Sequence, residues 1–328
     1  MFSVIIPNHN GEATLRRTLE SVFRTGYPSL EVVVVDDASS DGSARIIKEF
    51  PVKLVTHSSC RGAASARNTG AEAAAAGILL FIDNDVVIPP DTFRRLEECF
   101  RDPAISGVVG LLGPVTPHPG FCSQYKNYYM HFTYLKLPER VSVFYTSIAA
   151  IRRDAFFDSG QFDSRYRSAT IEDMEFGLRV VSKGYRLMID KQLQVTHLKS
   201  YSLKTMLQTG FRRAFGLIKI ILRDKARKKD KTSYTTTSLS FLGGIVLSWL
   251  FPLFLLLFFL FSHWFWLLAS LACCLAVIGF NLGFLTGLAR NTRSLFFFLG
   301  CGLIVADLFT HGLGVLSGAI GFFLGRKY

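Results

Sequence analysis

From Leu239 to Leu324 the chain is almost entirely apolar, with one polar break at Arg290-Asn291-Thr292-Arg293. A helix needs roughly 20 apolar residues to cross a hydrocarbon core of about 30 Å, so the stretch divides into about three spans, 239–261, 264–288 and 295–324. Ser262-His263 is a short turn between the first two. Basic residues favour the cytosolic side of a membrane. Arg290 and Arg293 then fall on the same side as the basic run ahead of the spans, whereas three crossings put Arg326-Lys327-Tyr328 outside, against that rule. The last segment carries Gly312, Gly314, Gly318 and Gly321, and is expected to tilt, kink or re-enter rather than cross straight. Asp307 and His311 share one face of it at i, i+4; two readings stand, a functional intramembrane pair and a pair satisfied within the bundle.

Composition changes sharply near residue 238, and the 328 residues divide into a soluble part over 1–200, an amphipathic and basic juxtamembrane part over 201–237, and a membrane part over 238–325. Met1 leads almost directly into the strand-like Phe2-Ser3-Val4-Ile5-Ile6, which reads as a chain without a secretory leader whose soluble part stays in the cytosol. The six cysteines have no paired metal-site spacing and read as free thiols in a reducing compartment. Of the net charge of +12, a surplus of seven lies between Arg212 and Lys231. Anionic lipids attract such residues by about 1 kcal/mol each. Nucleic acid would want aromatic stacking platforms, which 225–231 lacks, so the expected partner is the bilayer and not a nucleic acid. Residues 201–222 are amphipathic at helical spacing, which suits a helix in the membrane interface, a helix packed on the soluble part, or both on opposite faces.

The first half alternates short apolar strands at 3–6, 31–35, 52–56 and 78–82 with helical patterns at 13–24, 43–50 and 63–76. That rhythm predicts an α/β fold, a mostly parallel sheet with helices on both faces. Ligands of such sheets sit at the carboxyl ends of the strands, where Asn8 to Asn10, Asp36-Asp37 and Asp83-Asn84-Asp85 all fall. Two carboxylates at i, i+2 can face one hard divalent cation if the backbone turns there, the rest of its shell being water and substrate phosphate. Strands are also expected at 108–115, 144–151 and 193–196, and a helix at 171–183 stopped by Gly184. The Pro- and aromatic-rich stretch 114–138 reads as an acceptor-facing loop or irregular packing.

Four motifs occur in order: Val4-Ile5-Ile6-Pro7-Asn8-His9-Asn10-Gly11; Asp36-Asp37-Ala38-Ser39-Ser40-Asp41-Gly42 after an apolar strand; Gly62-Ala63-Ala64-Ser65-Ala66-Arg67-Asn68-Thr69-Gly70; and Phe81-Ile82-Asp83-Asn84-Asp85. With Ile171-Glu172-Asp173-Met174-Glu175-Phe176-Gly177-Leu178-Arg179 and His197, they resemble the family 2 glycosyltransferases over residues 1–200. The resemblance implies the nucleotide-sugar-binding GT-A fold followed by transmembrane helices. It implies that Asp36 or Asp37 hydrogen-bonds the nucleotide base, that Pro7 and His9 line the base pocket, and that Arg67 offers its fixed fork to the diphosphate. Asp83 and Asp85, with His197 as a further ligand, would hold Mg²⁺ or Mn²⁺ and neutralise the departing nucleoside diphosphate. Asp173, beside Glu172 at the start of a helix, would be the catalytic base, with burial and Glu172 tending to raise its pKa.

Processive synthases of that family carry Gln-x-x-Arg-Trp, which Gln208-Thr209-Gly210-Phe211-Arg212 does not match, so a long translocated polymer is not expected. Polyprenyl-phosphate sugar transferases usually carry Asp-Ala-Asp-Leu-Gln where this chain has Asp83-Asn84-Asp85-Val86-Val87. The expected activity is therefore inverting transfer from a nucleotide sugar, a UDP-sugar first, to a hydroxyl of a lipid-linked saccharide or glycolipid. It would take place at the cytosolic face of the inner membrane in a multi-pass protein. The alternatives are a polyprenyl-phosphate acceptor and a non-catalytic nucleotide-sugar-binding membrane sensor or assembly partner.

Overall fold

A computed structural model of the chain describes residues 1–166, 171–226 and 239–325. The basic residues at 227–231 and the carboxyl-terminal 326–328 lie outside the described residues. The chain divides into two compact units, one built from Met1–His118 and Thr133–Lys199, the other containing Pro119–Phe132 and most of the chain from Ser200 on.

The first unit opens with β1 (Phe2–Asn8), α1 (Leu15–Arg24), β2 (Leu30–Asp36), α2 (Ser43–Ile47), β3 (Lys53–Thr56), α3 (Ala63–Ala73), β4 (Ile78–Ile82) and β5 (Val86–Val87). It continues with α4 (Thr92–Phe100) and β6 (Gly107–Leu112); α5 (Phe121–Leu135) begins in the second unit and ends in the first. The first unit then closes through β7 (Arg140–Val141), β8 (Ile148–Arg152), α6 (Arg153–Asp158), α7 (Glu172–Ser182) and β9 (Leu187–His197). All seven residues of β1 are buried, as expected of a strand covered on both faces. Along the sheet the order is β3-β2-β1-β4-β8-β6-β9-β5, with β7 also on β9. β3, β2, β1 and β4 run parallel, β8 runs against β4 and β6, and β9 is parallel to β6. The expected α/β sheet is present, mixed by the reversal at β8.

Two expectations near the middle of the chain fail. Residues 121–135 are helical rather than a loop: Pro114, Pro117, Pro119 and Gly120 precede the helix and Pro138 follows it, with no breaker between. Its buried residues include Ser123, Gln124, Lys126 and Asn127, so no apolar stripe announces it. The strand expected at 144–151 starts only at Ile148; Phe144 is buried by edge contacts with Phe81 and Phe176 instead.

The second unit holds the start of α5, then α8 (Leu203–Ala226), α9 (Leu239–Phe261), α10 (Trp264–Phe280), α11 (Leu282–Asn291) and α12 (Leu295–Phe323). Its core joins Tyr125 and Tyr128 to Met206, Phe284, Leu288, Phe296 and Leu308. α8 packs along α12, an arrangement that neither expectation for the amphipathic stretch included. Phe241–Phe261 and Leu295–Phe323 are long and apolar enough to cross a membrane. α10 and α11 make a third such segment only if the pair, bent by 57°, counts as one. A kink or re-entry, two of the expectations for the third segment, is not seen in the single helix α12, and the break falls instead in the second apolar segment. At that break Asn281 Nδ2 donates to the carbonyl of Val277, side-chain competition with the helical ladder that the apolar count does not register. Phe259, Leu260, Phe298 and Phe323 are exposed, as a lipid-facing surface would have them.

Candidate active site at the strand ends

Because β1 and β2 are parallel and in register, Asn8 lies opposite Asp36 where both strands end. Asn8 Nδ2 donates to Asp36 Oδ1 (3.0 Å) and to Ser39 Oγ (3.1 Å), and its Oδ1 accepts from Asn84 Nδ2 (2.7 Å). The tips of three strands are thereby tied together. Gly11 closes over this knot, since a Cβ there would lie 2.2 Å from both Asn8 Oδ1 and Asn84 Nδ2. Pro7 is buried within β1, while the exposed His9 donates from Nδ1 to the carbonyl of Asp37 (2.8 Å).

Asp37 is 2% exposed, and each of its carboxylate oxygens takes two donors. Oδ1 accepts from His57 Nδ1 (2.7 Å) and the backbone N–H of Arg61 (2.8 Å); Oδ2 accepts from the N–H of Gly62 (2.7 Å) and Cys60 Sγ (3.4 Å). Burial would raise this carboxyl, but the bonds from Arg61, His57, Gly62 and Cys60 outweigh it and hold the group below the ordinary carboxylate range. Its stabilising contribution is therefore present above the unfolded-chain value near 3.9 and is lost as pH falls through the lower folded value. In this state Asp37 fastens the 57–62 loop. Asp37→Asn keeps the shape but puts an NH₂ where two donors point, and should cost roughly 2–3 kcal/mol. A lowered thermal midpoint without donor nucleotide checks this, and an unchanged midpoint would refute it.

Arg67, on the buried face of α3, is 3% exposed and joins residues far apart in sequence. Nη2 donates to Asp83 Oδ1 (2.8 Å) and Nη1 to Glu172 Oε1 (3.0 Å), while Nε is buried without a hydrogen bond. Burial would lower the Arg67 pKa, but Asp83 and Glu172, with Asp173 beyond, raise it. Instead of an open fork, Arg67 presents a clamp between the acid ending β4 and the acid starting α7. Asp83 also accepts from Ser147 Oγ at its Oδ2 (3.0 Å). Next in α7, Asp173 is 9% exposed and its Oδ1 accepts from the backbone N–H of Met174 (2.7 Å).

Asp85 and His197 are brought together by the antiparallel pairing of β5 with β9, which sets Val86 opposite His197. His197 Nε2 lies 3.5 Å from Asp85 Oδ1, an oxygen buried without a hydrogen bond. Burial would raise the Asp85 carboxyl, but the neighbouring His197 and Lys199 outweigh it and hold the group low. Among the described residues no three His, Cys, Asp or Glu side chains stand close enough to hold a metal ion. Asp83, engaged by Arg67 and Ser147, does not join Asp85 and His197 in such a group. An unpaired carboxylate oxygen beside an imidazole nevertheless fits a divalent cation that draws its remaining ligands from water and phosphate.

Asn8 and Asn84 fall at the ligand edge of the sheet by sequence but were given no role of their own, and Ser147 was not singled out. Asn8 and Asn84 carried a signal, being polar residues at the tips of apolar strands. Ser147, 64 residues from the acid it contacts, carried none.

Residues 3–159 match the family model described as Glycosyl transferase family 2. An uncharacterized glycosyltransferase of Haemophilus influenzae is 27% identical over 197 residues, covering 56% of this chain and 63% of the relative. The UDP-Glc:alpha-D-GlcNAc-diphosphoundecaprenol beta-1,3-glucosyltransferase WfgD of Escherichia coli is 36% identical over 88 residues, 26% of this chain and 35% of that one. The chain thus spans less than two thirds of either relative. Among solved structures, the mannosyltransferase PcManGT from Pyrobaculum calidifontis, in complex with GDP-Man and Mn²⁺, matches 99% of this chain and 87% of its own. The TM-score is 0.61 at 20% identity, a likeness of fold.

Proposed function

We propose that this chain, which belongs through residues 3–159 to glycosyl transferase family 2, moves a sugar from a nucleotide-sugar donor to a hydroxyl of a lipid-linked saccharide or glycolipid. The reaction would take place at the cytosolic face of the inner membrane. The observation that carries this reading is the Arg67 clamp, which holds Asp83 and, 105 residues beyond Arg67, Glu172 in one site. Asp173 takes the proton of the acceptor hydroxyl as its oxygen attacks the anomeric carbon. The bond from that carbon to the diphosphate oxygen breaks, and direct displacement inverts the configuration. Asp85 and His197 would hold the divalent cation, which when bound neutralises the charge of the nucleoside diphosphate. An imidazole among the ligands favours Mn²⁺ over the oxygen-seeking Mg²⁺. A relative whose name specifies a diphosphoundecaprenol-linked substrate supports the lipid-linked acceptor, and the apolar helices α9 and α12 support a membrane setting.

The test is a panel of nucleotide sugars given to purified protein in detergent with cell lipids, with and without Mn²⁺. Metal-dependent release of nucleoside diphosphate from one donor, together with a labelled lipid product, is the expected result. Nucleotide binding without release from any donor would overturn the enzyme reading in favour of a sensor.

A further inference from the structure

The Asp85–His197 pair stands at the end of β9, where the sheet has few rungs left. β9 lies between β6 and β5. β5 is two residues long, and its pairing sets Val86 opposite His197. On the other flank the register with β6 ends at Leu112 opposite Val195, followed by the N–H of Gly113 donating to the carbonyl of Val195 (2.7 Å). His197 and Leu198 lie beyond that last rung. The chain after β6 reads Gly113-Pro114-Val115-Thr116-Pro117-His118, and its prolines have no N–H with which to extend a ladder. Two side chains donate instead. Thr116, 6% exposed, gives its hydroxyl to the carbonyl of His197 (2.8 Å), and the half-buried His118 donates from Nε2 to the carbonyl of Leu198 (2.7 Å). From the β5 flank the N–H of Leu198 donates to the carbonyl of Asp85 (2.7 Å).

These bonds bear on the distance that decides whether the pair can share a cation. His197 Nε2 is 3.5 Å from Asp85 Oδ1, and that oxygen is buried with no hydrogen bond. Metal–ligand distances tolerate errors of only about 0.2 Å, so the backbone that carries an imidazole ligand has to be held as firmly as the ring. The pairing with β5 chooses which residues face each other. Thr116 then holds the carbonyl of the residue that bears the imidazole, and the next peptide is tied to Asp85 through the Leu198 N–H. The hydroxyl thus acts through the His197 backbone and not on the cation itself. Groups that orient metal ligands from behind are typically worth about 10–100-fold in metal affinity.

We infer that Thr116, supported by His118, is a positioning residue for the divalent cation: by holding the end of β9 it sets the His197 imidazole against Asp85. This rests on the proposed assignment of the cation to Asp85 and His197. The test is titration of full-length protein in detergent with Mn²⁺, the free ion being read by electron paramagnetic resonance. Thr116→Val keeps the volume and removes the donor, whereas Thr116→Ser keeps the donor. Thr116→Val should weaken Mn²⁺ binding about tenfold, the lower end for such partners, and Thr116→Ser should stay within about twofold of wild type. His118→Ala, at a half-buried position, should weaken it about threefold and serves if Thr116→Val does not fold. If Thr116→Val lowers the metal-free thermal midpoint but binds Mn²⁺ as tightly as wild type, the hydroxyl only anchors a loop and the inference is overturned. Asp85→Asn separates that failure from failure of the assignment. Binding lost in Asp85→Asn but unchanged in Thr116→Val overturns the positioning role alone. Binding unchanged in Asp85→Asn overturns the assignment, and the positioning role falls with it.

Discussion

Replacing Asp173 by Asn should lower turnover by about 10³-fold, within the range that general acid–base catalysis contributes, while donor affinity stays within about twofold. The expectation follows from what the substitution leaves alone. Asp173 Oδ1 accepts the N–H of Met174 at the first turn of α7, and an amide oxygen can accept the same bond. The Arg67 clamp uses Glu172 and Asp83, and neither is touched. What disappears is a carboxylate able to take a proton from the attacking hydroxyl. Steady-state kinetics with the active donor, beside calorimetric titration of that donor, separates the two quantities. Turnover within threefold of wild type would place the base elsewhere. A fall in donor affinity matching the fall in turnover would make Asp173 a binding residue.

The strand tips could be read from sequence because each buried parallel strand is an unbroken apolar run that ends abruptly in polar residues. Asn8, Asp36 and Asp83 had to emerge on one edge of the sheet. Arg67 could not be read the same way. Its motif marks a helix beginning, but its bond to Glu172 spans 105 residues, and the choice between an open fork and a buried clamp depends on how α3 and α7 meet. His197 was reachable only through a family likeness. Its place beside Asp85 is fixed by the two-residue pairing of β5 with the end of β9, too short to leave a pattern. In the apolar half, length and hydropathy announced helices, whereas they do not place the 57° break at Asn281.

Asp85→Asn should abolish high-affinity Mn²⁺ binding and reduce transfer by about 10²–10³-fold, the several kcal/mol that a Lewis-acid cation supplies at about 1.4 kcal/mol per decade. The geometry sets Asp85 above Asp83 in this respect. Asp83 spends Oδ1 on Arg67 and Oδ2 on Ser147, whereas Asp85 Oδ1 is buried, has no hydrogen bond and lies 3.5 Å from His197 Nε2. A buried carboxylate oxygen left in that condition is costly unless a cation completes it. Neutralising Asp85 removes the charge that would hold the ion and leaves His197 as a lone imidazole. Asp83→Asn disturbs the Arg67 clamp, so it should impair turnover while retaining more of the Mn²⁺ affinity. Titration of free Mn²⁺ by electron paramagnetic resonance reads the ion directly, without reference to activity. If Asp83→Asn loses the ion and Asp85→Asn keeps it, the ranking is reversed and the unpaired oxygen of Asp85 has another purpose.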